Sequence, residues 1–154
     1  MNSRSFLALT GWLLLTFSTS LTGFSVSTEG WYDTINKPSW NPPSWIFGPV
    51  WTTLYILMGT AAWRIWRQGG WAGQKSALTL YLIQLALNAL WTPLFFGLQK
   101  PGWALVDIVI LIILILATMR AFRPVDKWAV YLMAPYLLWV IFAAALNTAL
   151  WWMN

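Results

Sequence analysis

Residues 30–51 read GWYDTINKPSWNPPSWIFGPVW, and the reading of this stretch decides the fold. It is the longest polar interval in an otherwise apolar chain, yet it holds four tryptophans and four prolines. A solvated linker would be rich in Ser, Gly and charge instead. Proline removes backbone freedom, and Trp joins a broad apolar face to a single N–H donor. Such a segment suits a fixed shape at a boundary between water and lipid. It is expected to form a structured cap over a membrane bundle and to run directly into a helix.

Composition supports the membrane setting. Of 154 residues, 59% are hydrophobic and only 8% charged, against roughly 25% charged in soluble domains. So much apolar surface cannot be buried inside a small globule, and lipid is the expected solvent. A single membrane domain covering 1–154 is the natural organisation. Cys and His are both absent, which excludes disulfides, thiol nucleophiles, histidine bases and the usual zinc sites. The net charge of +5 does not form a stripe that would point to nucleic acid. The basic residues sit at span ends instead.

A helix needs about 20 apolar residues to cross the hydrocarbon core. Five such spans are expected, at 6–26, 45–66, 77–98, 103–122 and 128–152. Arg4 before an apolar run resembles a signal peptide. The apolar character continues through Leu21, Phe24 and Val26 without an Ala-x-Ala-like cleavage site, so a retained helix is expected. Asn41 or Ser44 is the expected N-cap of the second span. Gly69–Gly70 ends that span, and Pro101–Gly102 turns the third into the fourth. The fifth carries Pro135 at mid-helix, which should leave the Tyr131 carbonyl without its usual partner and kink the helix.

Arg4, Arg64, Arg67, Lys75, Arg120, Arg123 and Lys127 fall on one side of this threading, and only Lys37 and Lys100 on the other. In a bacterial cell membrane that asymmetry puts the N-terminus in the cytoplasm and the Trp/Pro segment outside. The same threading gathers polar and aromatic residues into the half of the bilayer under the cap. Trp51 and Tyr55 lie one turn apart on the second span. Gln84, Asn88, Trp91 and Phe95 share a face of the third, and Tyr136, Trp139, Ala143 and Asn147 a face of the fifth, with Phe142 beside them. Asp107 lies about 6–9 Å below the start of the fourth span. It is the only acid within a span, so it should face the interior. The plainer readings are interhelical hydrogen bonds for Asn88 and Asn147, and N-terminal dipole compensation for Asp107. Trp12, Trp63, Trp66, Trp71, Trp128, Trp151 and Trp152 suit the headgroup level.

The runs WYDTINKPSWNPPSW, FGPVWTTLYILMG, QLALNALWTPLFFG and PYLLWVIFAAALN resemble the TspO/translocator protein family, also called tryptophan-rich sensory or peripheral-type benzodiazepine receptor proteins. The resemblance covers nearly the whole chain in order. It implies an all-α bundle of five transmembrane helices, commonly dimeric, with a ligand cavity beneath the loop between helices 1 and 2. It implies binding of porphyrins such as protoporphyrin IX and haem, and of benzodiazepine-receptor-type ligands, with no required cofactor and no metal site. Tyr32, Trp51, Asn88, Trp91, Trp139 and Ala143 match family pocket positions, and Phe142 resembles a Phe of mitochondrial relatives. Trp40 of the cap joins the candidate ligand-binding set. The Tyr and Arg proposed as a sterol motif in mitochondrial members are missing, since the run here is Leu146-Asn147-Thr148-Ala149-Leu150-Trp151-Trp152.

The leading expectation is a membrane receptor or carrier for tetrapyrroles, because a flat macrocycle matches walls of indole and phenol rings. The alternatives are oxidative or light-dependent porphyrin breakdown and a stress-regulatory interaction subunit. Composition does not separate them, because electron-rich Trp serves stacking and redox chemistry equally well.

Overall fold

A computed structural model describes residues 3–24, 26 and 30–154, except for the side chain of Phe24. The expected first span includes Ser25, which lies outside the described residues. Five long helices account for most of the chain: α1 (Ser3–Phe17), α2 (Phe47–Trp66), α3 (Lys75–Thr92), α4 (Pro101–Phe122) and α5 (Lys127–Met153). Four of the rods are long and apolar enough to cross a membrane: Ser3–Gly23, Lys75–Gly97, Pro101–Phe122 and Lys127–Met153. The chain is an integral membrane protein. The remaining rod, α2, has 20 residues, which at about 1.5 Å per residue also matches the hydrocarbon thickness of about 30 Å. It lies at the centre of the bundle, against α1 and α5, with Met58, Ala61, Ala62 and Ile65 fully buried.

Neighbours are fixed by packing. α1 lies on α2, α2 on α5, α5 on α4 and α4 on α3, and the end of α1 returns to α3. The core is a column of large apolar side chains, including Met58, Leu78, Tyr81, Leu111, Ile115, Phe122 and Met133. α1 and α2 approach closely at Gly59, where an added Cβ would come 2.9 Å from Leu13 Cδ2 and 3.2 Å from Leu13 Cα. Tyr81 of α3 reaches Thr16 of α1, hydroxyl to hydroxyl, at 2.6 Å.

Local chemistry explains how polar residues are tolerated in these rods. After α1, a 3-10 turn (Ser18–Ser20) leads into Leu21–Phe24. The hydroxyls of Thr16, Ser18, Thr19, Ser20 and Thr22 each donate to a carbonyl three or four residues back. These five hydroxyls need no water, which lipid cannot supply. α3 ends in a π-helical turn, Pro93–Gly97, with the Leu98 amide on the Pro93 carbonyl at 2.8 Å. α5 runs continuously through Pro135. The expected side-chain cap of α2 is corrected. A 3-10 turn (Ser44–Ile46) leads into the helix without any side-chain cap bond. Asn41 faces the cap segment, where it accepts from Tyr32.

The two ends of the bundle differ. At one end the 30–46 segment, the α3–α4 turn and the end of α5 meet. At the other, Arg64 Nε donates to Asp126 Oδ2 at 2.8 Å, and Trp63 Nε1 donates to the Ser5 carbonyl at 3.0 Å. Trp63 is thus a buried tie between α2 and α1, with the Arg67 guanidinium 4.7 Å over its ring. Its indole is therefore turned to α1 and not to lipid, at the end of the bundle that carries Arg64 and Arg67. Trp128 and Trp152 are highly exposed, as the headgroup-level reading requires.

Two outcomes follow from this packing. Gly59→Ala should force α1 away from α2 and cost about 1–3 kcal/mol, the usual penalty for overpacking. Thermal unfolding in detergent reads it, and an unshifted midpoint would show that the approach is not close. The second outcome concerns acid. Burial raises the Asp126 carboxyl, but the Arg64 hydrogen bond, the Trp128 amide and the Arg64 charge outweigh it and hold the group below its ordinary 3.8. That contribution to stability is complete above the ordinary value and fades as pH falls through the lowered one. Asp126→Asn should therefore lower the midpoint near neutral pH and shrink the acid-induced loss.

Candidate ligand site beneath the aromatic cap

The cap is built from its own sequence. Gly30 adopts φ +84°, which suits glycine, and its amide donates to Asp33 Oδ2 at 3.2 Å. This closes the short helical turn Trp31–Thr34. Tyr32 Oη donates to Asn41 Oδ1 at 2.9 Å, tying that turn to the Pro42–Pro43 end of the loop. Burial pushes the Tyr32 phenol up, the Asn41 bond opposes this and Asp33 adds to it. The phenol therefore stays protonated and donating. The Lys37 ammonium lies 4.8 Å over the Tyr32 ring.

The underside of the cap rests on the π-turn. Trp31 and Tyr32 meet Phe95 edge to face at centroid distances of 5.6 and 6.3 Å. Phe95 is buried and stacks on Trp91 at 4.9 Å. The far edge is pinned by α5. Asn154 Oδ1 accepts from the Asn36 amide at 2.8 Å, and Asn154 Nδ2 donates to the Asn36 carbonyl at 3.0 Å.

Below the cap the candidate residues fall into three connected groups. In the deepest, Tyr55 Oη donates to Asn88 Oδ1 at 3.4 Å, Asn88 Nδ2 to Tyr136 Oη at 3.2 Å, and Tyr136 Oη to Gln84 Oε1 at 2.9 Å. Trp51 covers this chain, 5.3 Å from the Tyr55 ring and 6.3 Å from the Tyr136 ring. The second group is a run of rings, half-buried at Phe47, Trp139 and Phe142 and exposed at Trp40. Trp139 meets Phe47 at 6.0 Å and Phe142 at 5.3 Å, and Trp40 of the cap meets Phe142 at 5.9 Å. The third links helices at the α3–α4 turn. Trp91 Nε1 donates to Asn147 Oδ1 at 3.1 Å, and Asn147 Nδ2 to the Pro101 carbonyl at 2.8 Å.

Asn88 and Asn147 therefore make interhelical hydrogen bonds, as their plainer reading held. Ala143 packs at the margin of the main core. Asp107 is buried and its Oδ2 has no hydrogen-bond partner among the described residues. Gln84 Nε2 is in the same condition. Among the described residues no cluster of His, Cys, Asp or Glu could hold a metal ion.

Tyr136, Gln84, Phe47 and Asn154 are contacts that the candidate set left out. Helical spacing carried the signal for two of them: Gln84 sits one turn before Asn88, and Tyr136 one turn before Trp139. Nothing local in the sequence marks Asn154, whose partner is 118 positions away. Removing the hub of the deepest group should matter most. Asn88→Ala takes the carboxamide acceptor from the buried Tyr55 hydroxyl and one of the two partners of Tyr136 Oη, which keeps Gln84, at a cost of about 1–3 kcal/mol. A thermal midpoint equal to the wild type would show that this network adds nothing.

Comparison with known proteins extends these findings. A sequence model of the TspO/MBR family matches residues 6–153. The chain is 44% identical over 140 residues to the tryptophan-rich sensory protein of Cereibacter sphaeroides, covering 88% of this chain and 87% of that one. It is 47% identical over 133 residues to the tryptophan-rich protein TspO of Chlorobaculum tepidum, covering 85% and 84%. It is 44% identical over 123 residues to the human translocator protein, covering 79% and 73%. With five long helices in sequence order and a match along nearly its whole length, the chain belongs to the TspO/MBR family.

Proposed function

We propose that this protein binds a flat tetrapyrrole, such as protoporphyrin IX or haem, as a membrane receptor or carrier, with the whole chain acting as one ligand-binding unit. The observation that carries the reading is the pair of ring groups at the cap: half-buried Trp139, Phe142 and Phe47 with the exposed Trp40 above them, and half-buried Trp51 on Tyr55. Offset and edge-to-face ring contacts are weak individually, about 0.5–1.5 kcal/mol beyond burial. They exchange readily for contacts with a macrocycle. The hydrogen-bonded chain from Tyr55 to Gln84 supplies a rigid floor below them.

Tyr32, Asn88, Trp91, Phe95, Asp107, Ala143 and Asn147 complete the proposed site in different roles. Tyr32 and Phe95 hold the cap, while Asn88, Trp91 and Asn147 fix the helices that carry the rings. Ala143 is small enough to leave a neighbouring ring room. Asp107 faces the interior with an unpartnered oxygen, suited to an N–H donor of a ligand. Stacking and shape, rather than metal ligation, hold the macrocycle, because the chain has neither His nor Cys as an axial ligand. With the basic residues concentrated at the opposite end, the cap faces away from the cytoplasm in a bacterial cell membrane.

Protoporphyrin IX should quench the Trp fluorescence of the purified protein saturably. Trp51→Ala and Trp139→Ala should each weaken binding about tenfold, which corresponds to about 1.4 kcal/mol of lost contact. Undiminished affinity in the double variant would refute this site. Illumination with oxygen separates binding from breakdown, and a porphyrin spectrum unchanged by the protein supports binding alone.

A further inference from the structure

We propose that the outer face of α4 holds one acyl chain of an anionic phospholipid, with its phosphate on Lys100. A groove of about 680 Å³ runs along this face. Lys100 stands at one end, Val106, Val109 and Ile110 form the wall, and Trp103 and Trp151 flank the mouth. This surface is separate from the ring cluster beneath the cap, and the inference is independent of the tetrapyrrole reading.

Three observations select the occupant. The first is length. From Lys100 to Ile110 the helix rises about 15 Å at 1.5 Å per residue, which is half of the roughly 30 Å hydrocarbon core. The groove therefore spans one leaflet, the reach of a single acyl chain. The second is shape. At Gly102 a Cβ would come 3.2 Å from Trp151 Nε1, so the missing side chain lets the Trp151 ring lie against the start of α4 and wall the mouth at headgroup level.

The third observation is charge. Among the described residues Lys100 has no ion-pair partner, whereas the other cap-side cation, Lys37, is spent on the Tyr32 ring and the Ile35 carbonyl. Among the described residues the acids of a second copy offer Lys100 little: Asp33 is bonded to the Gly30 amide, Asp107 is buried, and Asp126 is paired with Arg64 at the opposite end. A lipid phosphate supplies the missing anion, and its chain supplies the apolar contact.

Native mass spectrometry of the purified protein, exchanged into detergent with phosphatidylglycerol or phosphatidylcholine of identical chains, tests this. Wild type should retain phosphatidylglycerol about fivefold better, the contribution expected of one Lys near an anionic headgroup. Lys100→Gln should abolish the preference, while Lys100→Arg and Lys37→Gln keep it. Val106→Trp, which fills the groove from an exposed position, should reduce retention of both lipids. Equal retention by wild type, or equal loss in Lys37→Gln, would mean diffuse surface charge and overturn the proposal. So would retention untouched by Val106→Trp, preferential retention of cholesterol, or a dimer that Val106→Trp disrupts.

Discussion

Lipid offers no hydrogen bonds, and every other feature of this bundle answers to that constraint. Most polar groups carried into the membrane find a partner within the protein, with Asp107 Oδ2 and Gln84 Nε2 as exceptions among the described residues. The hydroxyl-rich end of α1 solves the problem locally, by folding Thr and Ser side chains back onto their own helix. α2, α3 and α5 solve it between helices. One Asn, one Gln and two Tyr side chains form a chain from Tyr55 to Gln84, and no water is needed to bridge its members. Because hydroxyl and carboxamide geometry is directional, this chain fixes the rotation of three helices about their own axes. Apolar packing against lipid-like neighbours cannot do that, since it discriminates weakly between one greasy face and another.

That division of labour explains which parts of the molecule were legible in the sequence. The rods were, because about 20 apolar residues between charged ends have few other readings. Their alternation was also legible. The structure places Asn36 with Asn154, Trp31 with Phe95 and Asn147 with Pro101 at one end, and Arg64 with Asp126 at the other. Much of the candidate site was legible from helical spacing, which put Asn88 on the face of Gln84 and Trp91. The pairings were not. Sequence periodicity says that Asn88 faces inward, but not that it sits between Tyr55 and Tyr136, because that depends on the rotation of two other helices. The expected cap of α2 failed for a related reason. Asn41 is a good N-cap by type, but its side chain accepts from Tyr32 instead, and a 3-10 turn separates it from the helix. The partner of Trp63 was not legible either, because indole suits both a lipid-facing and a buried donor position, and only the fold supplies the Ser5 carbonyl.

The Trp/Pro segment shows why an aromatic cap needs so little regular structure. Its only helical pieces are the single turns Trp31–Thr34 and Ser44–Ile46. Shape comes instead from proline-fixed φ angles, from the Tyr32–Asn41 bond and from ring contacts with Phe95, Phe96 and Phe142. Fixing a residue's backbone costs about 1–2 kcal/mol of conformational entropy. Prolines lower that cost by restricting the unfolded chain as well. The strap to Asn154 closes the loop against the last turn of α5, so movement of the cap and of the end of α5 are mechanically linked.

The contrast between floor and rim gives the proposed site its character. The floor residues Gln84, Asn88 and Tyr136 are buried and hydrogen-bonded to one another, so altering them would strand polar atoms where water cannot reach. The rim rings Trp139, Phe142 and Phe47 are half-buried and held by apolar packing and by contacts with one another, without hydrogen bonds to the floor. A ligand that offers an extended flat face replaces those contacts in kind, and the floor need not change. Such a site selects for breadth and planarity more than for any one polar substituent. It would accept several aromatic ligands of similar outline, with the interior carboxylate of Asp107 as the feature able to favour one bearing an N–H donor.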